Sequence, residues 1–454
     1  MRPLIRRQSR IQTRNRLSHQ TSEQLGTLYQ KTTLENGIRV VSEQIPYVRS
    51  VSIGLWIEVG SRDEDATSNG LSHFVEHMVF KGTKQRSMAE ISRSIESVGG
   101  YLNAFTSKEH TCFYARMLDQ HTDLAMDVVS DLVLNASFPE KEIDKEKNVV
   151  IEELRNAEDD PDDIIHDYLE KALYGDHPMG FPVIGTETNL RSFRRQDLLN
   201  FRRTHYAPHR MVLAAAGNIA HEDLLRLADR YLKPVRSNGK SSGIRRGRPT
   251  HRKAVRQEYP RPIQQAHVCM GMRAYDIKSK ERYPLLVLNT LFGEGMSSRL
   301  FQNIRERYGF AYNVYSFVNF LSDTGSFGVY VGTDKKHVDA SMELVEKEIQ
   351  RLVSRPVSKA ELLRTKAQLK GNMMLSLENI PNRMIRLGTS EIYFHELTSL
   401  DDILRKIEDV SQEDLLRVSN DMFCKSDRAV VILRPKGDDQ VMPVASAADP
   451  SDAG

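Results

Sequence analysis

The run "LSHFVEHMVF", residues 71 to 80, sets two histidines and a glutamate within five positions of an otherwise apolar stretch. In a helix His73 and His77 are four apart and Glu76 is three from His73, so all three project from one face within one turn. Catalytic zinc takes three protein ligands from His and carboxylate and leaves a fourth position to a water whose pKa falls to about 7. Two histidines at i and i+4 supply two such ligands from one helix. The glutamate directly before the second histidine gives His-x-x-Glu-His, the inverted, inverzincin order of the commoner His-Glu-x-x-His. The helix carries Glu76 past the metal rather than onto it, where it serves as general base to the bound water.

A third ligand must come from elsewhere. The region from about 140 to 174 is acid-rich, with Ile143, Val150 and Leu154 at helical spacing and Pro161 interrupting it. Glu146 and Glu153 are seven apart and share a face. Periodicity does not choose between these two and Glu152.

The elements that must position these groups begin with strand signals. Asn36-Gly37 between "KTTLE" and "IRVVSEQI" marks a hairpin. Residues Val51 to Val59 alternate, with the odd positions forming one apolar face, and the loop "GSRDEDATSNG" leads into the motif helix. An internal repeat follows. Asp414 in "EDLLRV" lies 217 positions beyond Asp197 in "QDLLNF", and each segment leads to an apolar strand, "RAVVILRP" and "MVLAAAGN". The same offset carries Val51, Ile53 and Gly54 onto Val268, Met270 and Gly271, and puts Thr290, Gly293 and Glu294 where the first half has His73, Glu76 and His77. The second half therefore cannot repeat the metal site, and one zinc ion per chain is expected.

Strands and helices mix without strict βαβ alternation, which predicts an α+β fold. The expectation is two structurally similar α/β-roll domains, each an antiparallel sheet covered by helices, from an internal duplication. The expected divisions are a basic tail (1–27), a metal-binding catalytic domain (28–235), a basic linker (236–257), a homologous domain without metal (258–436) and a C-terminal tail (437–454). The linker is rich in Gly, Ser, Pro and basic residues and has no acid from Lys233 to Gln257, so it reads as solvated.

Composition excludes several classes. The 64 basic and 61 acidic residues nearly cancel, so charge gives no case for a nucleic-acid or membrane partner. Cys112, Cys269 and Cys424 are far apart, which argues against a disulfide framework or a thiolate metal site and fits a reducing compartment. No apolar run approaches the ~20 residues of a membrane span. "GEGMSSR" lacks the Lys-Ser/Thr ending of a P-loop. A bacterial cytoplasmic location is expected. The first 20 residues hold six arginines and no acid, the composition of a transit peptide or of a solvated extension, so the mitochondrial matrix is the alternative.

With "GLSHFVEHMVFKGT", "EKNVVIEEL" and "GGYLNAFTSKEHTCFYARML", the chain resembles the pitrilysin/insulinase family of inverzincin metallopeptidases. It is most similar to the short-chain branch that includes the mitochondrial processing peptidase β subunit, over residues from about 28 to 436. The resemblance implies a zinc endopeptidase in which His73, His77 and Glu153 bind the metal, Glu76 is the base and Glu146 is a supporting acid. It implies that "NAFT", with Asn103, Ala104 and Phe105, is an edge strand that receives substrate backbone. It also implies that Arg305 and Tyr312, in "IRERYGFAY", help bind substrate and stabilise the oxyanion. Peptides or unfolded polypeptide segments are the implied substrates. Because one chain carries both kinds of motif, a homodimer is expected, and a non-catalytic structural subunit of a larger complex is the alternative.

Overall fold

The computed structural model describes residues 20–24, 27–233, 246–250, 254–424 and 427–436. Seven strands form the first sheet: β1 (Gln20–Gln24), β2 (Thr27–Thr33), β3 (Arg39–Gln44), β4 (Ser50–Ile57), β5 (Tyr101–Thr106), β6 (Thr111–Leu118) and β7 (Met211–Gly217). Their order is β1-β2-β3-β7-β4-β6-β5. The second sheet holds β8 (Val255–Arg261), β9 (Ala266–Ala274), β10 (Ala311–Phe320), β11 (Gly325–Thr333) and β12 (Ala429–Pro435), in the order β10-β11-β9-β12-β8. Read from its other edge, the second sheet repeats the β3-β7-β4-β6-β5 arrangement of the first. The fold is α+β with two domains.

The sheets are predominantly antiparallel, with one parallel pair in each. β3 pairs parallel with β7, and β8 with β12, while the other pairs are antiparallel. Parallel neighbours need a long crossover, and here β7 and β12 return after a series of helices to lie beside the first strand of their own repeat.

β4 is buried on both faces, and the two faces have different covers. Odd positions Val51, Ile53, Leu55 and Ile57 join the core under the helices of the first half. Even position Trp56 packs instead with Met384 and Leu387 of a helix from the second half, Ile380–Phe394. The exchange is reciprocal, because helix Pro161–Tyr174 of the first half lies on β9 and β12. Glycines make room at matching points: a Cβ on Gly54 would stand 2.5 Å from Met384 Sδ, and one on Gly271 would stand 2.7 Å from Leu169 Cδ2. Each sheet is thus sandwiched between its own helices and one borrowed helix.

The borrowed helix fits closely enough to predict a consequence. A Cβ on Gly388 would fall 2.3 Å from Cε2 of the fully buried Trp56 ring. Gly388→Ala should therefore destabilise the protein by about 1–3 kcal/mol through overpacking. A lower urea midpoint with intrinsic Trp56 fluorescence as probe is the expected readout.

Two expected boundaries are corrected. The tail assigned to 1–27 includes β1, which pairs antiparallel with β2 from Gln20–Lys31 to Gln24–Thr27. Its polar "QTSEQ" has no apolar alternation to reveal it; backbone hydrogen bonds to β2 make it a strand. Residues 1–19 and 437–454 lie outside the described residues. The linker assigned to 236–257 is not wholly solvated. β8 starts at Val255, and Arg246 is largely buried, with Nε and Nη2 donating to the Asp63 carboxylate at 2.9 Å each. Acids missing from the local sequence are supplied by positions far upstream.

Arg246 belongs to a buried ionic cluster that ties the halves together. Arg62 Nη1 lies 2.7 Å from both Glu109 and Asp323, and Arg246 Nη1 lies 3.4 Å from Glu109. Ser322, in the β10–β11 turn, donates to Glu109 through its backbone N–H (2.9 Å) and its hydroxyl (2.6 Å). Burial opposes ionisation of Glu109, but Arg246, Ser322 and Arg62 outweigh it and hold its carboxyl below the ordinary range. Among the described residues no helix is long and apolar enough to cross a membrane.

Candidate metal centre

The motif helix is short, Leu71–Val79, and its entry is built for close packing. Gly70 takes φ +97°, a left-handed conformation that favours glycine, and a Cβ there would meet Gly185 Cα at 2.8 Å. The first backbone N–H groups of a helix lack internal partners. Buried Glu64 supplies them: Oε2 accepts from Gly70 N at 2.8 Å and Oε1 from Ser72 N at 2.6 Å. Burial pushes the Glu64 carboxyl up to about 7 against these hydrogen bonds, which favour its charged form. Glu64→Ala leaves two donors unpaired in a dry site and should cost about 2–4 kcal/mol, a lost cap plus a desolvation penalty. A lowered denaturation midpoint accompanied by weaker zinc retention is the expected outcome.

From this helix His73 and His77 face the acidic helix Glu140–Asp159. Their rings stand 4.6 Å apart. Glu153 reaches both, with Oε1 3.7 Å from His73 Nε2 and Oε2 3.3 Å from His77 Nε2. One donor atom from each of the three lies within 4.8 Å of the others, and among the described residues this is the one such group of His, Cys, Asp and Glu. Donors around a tetrahedral zinc, at bond lengths of about 2.0–2.2 Å, sit roughly 3.5 Å apart, so the set fits with small side-chain adjustments.

The remaining acids separate by role. Glu146 is buried and accepts from His77 Nδ1 at 2.9 Å, with Lys81 Nζ 2.6 Å from its other oxygen. A carboxylate can only accept, so Nδ1 is the donor and Nε2 is turned toward Glu153. This is the outer partner that metal-binding histidines commonly keep. Glu152 points away and pairs with Arg155 at 2.6 Å.

Electrostatics agree with a cation site. Burial and neighbouring His77 hold His73 down at about 4, so its ring is neutral. Burial also works against charge on His77, but Glu146 and Glu153 outweigh it and raise His77 to about 9. The hydrogen bond from His77 holds the Glu153 carboxyl below its ordinary value. The two carboxylates thus draw positive charge to the point where a metal ion would supply it in place of the His77 proton.

Glu76 stands outside the ligand group. Its carboxyl is pushed up by burial, and its Oε2 accepts a hydrogen bond from Thr106 Oγ1 at 2.5 Å. Thr106 ends β5, the edge strand of the first sheet, which also carries Asn103, Ala104 and Phe105. Arg305 and Tyr312 are not brought to this group by any hydrogen bond or ion pair among the described residues. They meet each other instead. Arg305, on the π-helical turn Phe301–Glu306, lies 4.8 Å from the Phe301 ring centre and 5.8 Å from that of Tyr312. Tyr312 sits at a β-bulge opposite β11 and is 73% exposed, which leaves its ring on the surface at the edge of the second sheet.

Sequence reasoning missed Glu64 and Lys81, and reached Thr106 only as the end of the "NAFT" strand, without its bond to Glu76. An acid at a helix start can mark a dipole partner, but Glu64 stands seven residues before Leu71, between Asp63 and Asp65, and that signal does not single it out. Thr106 and Lys81 carry no such signal, because their roles depend on contacts between separate elements.

This α+β protein of two matching sheets carries a His-His-Glu donor set with a further glutamate outside it, a composition that suits catalytic zinc. Residues 39–187 match the family described as insulinase (peptidase family M16), and residues 192–369 match the peptidase M16 inactive domain. The chain is 39% identical to the uncharacterized zinc protease YmxG of Bacillus subtilis over 90% of this chain and 99% of that one. It is also 39% identical to an uncharacterized zinc protease of Streptomyces coelicolor, covering 88% of each. A solved protease from Helicobacter pylori shares the fold, with a TM-score of 0.83 at 21% identity over 92% of this chain and 100% of that one. A Pseudomonas fluorescens structure titled as a peptidase M16 inactive domain aligns with a TM-score of 0.84 at 20% identity, over 90% and 98%. The chain belongs to peptidase family M16, the insulinase family. Its relatives' names support a zinc-dependent protease, and these bacterial relatives give the mitochondrial alternative no support.

Proposed function

We propose that the chain is a zinc endopeptidase that cleaves peptides or unfolded polypeptide segments, with Glu76 as general base. The observation that carries this reading is the convergence of His73, His77 and Glu153 beside Glu76 at the open edge of a sheet. When bound, zinc polarises the scissile carbonyl and lowers the pKa of a water to about 7. His73, His77 and Glu153 hold the ion, one per chain, and Glu146 fixes the His77 ring. Glu76 takes the proton from the attacking water and returns it to the departing amine.

The substrate adds a strand along Asn103, Ala104 and Phe105 of β5, pairing through the outward-facing backbone groups and so without regard to side-chain identity. Arg305 and Tyr312 serve as donors to substrate and developing oxyanion. Their exposure, and the lack among the described residues of any hydrogen bond or ion pair from them to the metal group, favour action across a homodimer, with each second half facing a partner's metal half. The enzyme works in the bacterial cytoplasm, without nucleic-acid or membrane partners.

The test is hydrolysis of a quenched peptide library and of a reduced, alkylated protein alongside its folded form. Chelator-sensitive cleavage of the first two with the folded protein spared is the expected result. No cleavage of any peptide would overturn the reading in favour of a structural subunit.

A further inference from the structure

We propose that Thr106 is a positioning residue for the base, fixing the Glu76 carboxylate so that one oxygen stays directed at the attacking water. This rests on Glu76 acting as base in the proposed peptidase reaction. Thr106 Oγ1 donates to Glu76 Oε2 at 2.5 Å, and among the described residues this is the only hydrogen bond that Glu76 receives. A half-buried carboxylate with one donor on one oxygen has its rotation limited and its other oxygen unclaimed. Glu76 Oε1 is the atom left to receive a proton.

The backbone that carries the hydroxyl is held from several sides. Thr106 pairs with Thr111 at the closed end of the β5–β6 hairpin. The turn that follows is locked by Ser107 N donating to His110 O at 2.8 Å and Ser107 Oγ donating to the same oxygen at 2.9 Å. It is anchored to the segment before the motif helix, where Ser61 N donates to Ser107 O at 3.1 Å and Arg62 N to Lys108 O at 2.8 Å. Glu109 then ties the same turn to Arg62 and to Ser322 of the second half. The position of the hydroxyl is thus set by a cluster that spans both halves, and it does not depend on a mobile rotamer alone.

Thr106 also ends the strand on which substrate is proposed to lie, so base and substrate backbone share one rigid reference. A side chain acting only on the base should change the chemical step and leave binding unchanged. The distinction is measurable because uniform binding appears in KM and transition-state effects in kcat.

Three full-length variants test this: Thr106→Val, which keeps the shape and removes the donor; Thr106→Ser, which keeps the donor; and Glu76→Ala. Thr106→Val should lower kcat about tenfold to a hundredfold with KM within twofold, and Thr106→Ser should recover kcat to within about threefold, the range of a mispositioned catalytic group. A readout independent of turnover is the thermal midpoint of the metal-free chain. Thr106→Val should lower it in the wild-type background and leave it nearly unchanged in the Glu76→Ala background, as coupled neighbours require. Unchanged kcat in Thr106→Val, equal damage in Thr106→Ser, or additive midpoint shifts would each overturn the proposal. Absence of hydrolysis by the wild-type chain together with a coupled midpoint would overturn the peptidase reading and leave the Thr106–Glu76 contact standing.

Discussion

Glu76→Gln should abolish most hydrolysis while zinc stays bound at about one ion per chain. Glu76 is not among the three side chains that converge as donors, so the substitution leaves the His73, His77 and Glu153 set complete. Glutamine keeps the shape and can still meet Thr106 Oγ1, so packing around the half-buried side chain is preserved. What disappears is an acceptor for the water's proton. General-base catalysis is worth about 10²- to 10⁴-fold, and the loss in kcat should fall in that range. Turnover of a quenched peptide with metal content measured on the same sample checks both halves of the statement. Wild-type turnover in the variant would remove Glu76 from the mechanism, and loss of zinc would make it a ligand instead.

His77→Ala should give the largest effect on metal. His77 Nε2 is 3.3 Å from Glu153 Oε2, and Nδ1 is held by Glu146, so the substitution removes a metal donor and leaves Glu146 with Lys81 alone. Two remaining ligands do not make a catalytic zinc site, and the purified variant should hold little zinc after gel filtration. Glu146→Gln makes the instructive contrast. It keeps all three donors but weakens the bond that orients His77, and zinc affinity should drop by about 10- to 100-fold without vanishing. Full zinc content in His77→Ala would place the metal elsewhere. Equal losses in both variants would make Glu146 a direct ligand.

The parts of this site that lie close together in sequence are legible there. His73, Glu76 and His77 occupy one turn, and helical geometry alone puts them on one face. The third ligand was less accessible, because Glu146, Glu152 and Glu153 all lie on a helix and spacing ranks none of them. Packing separates them: Glu152 turns to Arg155, Glu146 is buried against His77 and Lys81, and Glu153 faces both histidines. Resemblance to known peptidases named Glu153; periodicity did not.

Other features depend on long-range contacts and leave little local trace. The alternation of Val51 to Val59 gives one apolar face correctly but hides the second, where Ser52, Gly54 and Trp56 are small or singular residues under a borrowed helix. The basic segment before β8 looks solvated because its acids, Asp63 and Glu109, are more than a hundred residues away. A repeat offset of 217 predicted the matching central strands β4 and β9. It could not reveal that each repeat lends a helix to the other, since periodicity records which face is apolar and not which element covers it.

Titration of zinc into the metal-free full-length chain, with peptide hydrolysis followed at each addition, tests the central claim most directly. The geometry predicts no activity without metal, a linear rise, and saturation at one zinc per chain. Hydrolysis already present in the metal-free chain, or none at one equivalent of bound zinc, would contradict it.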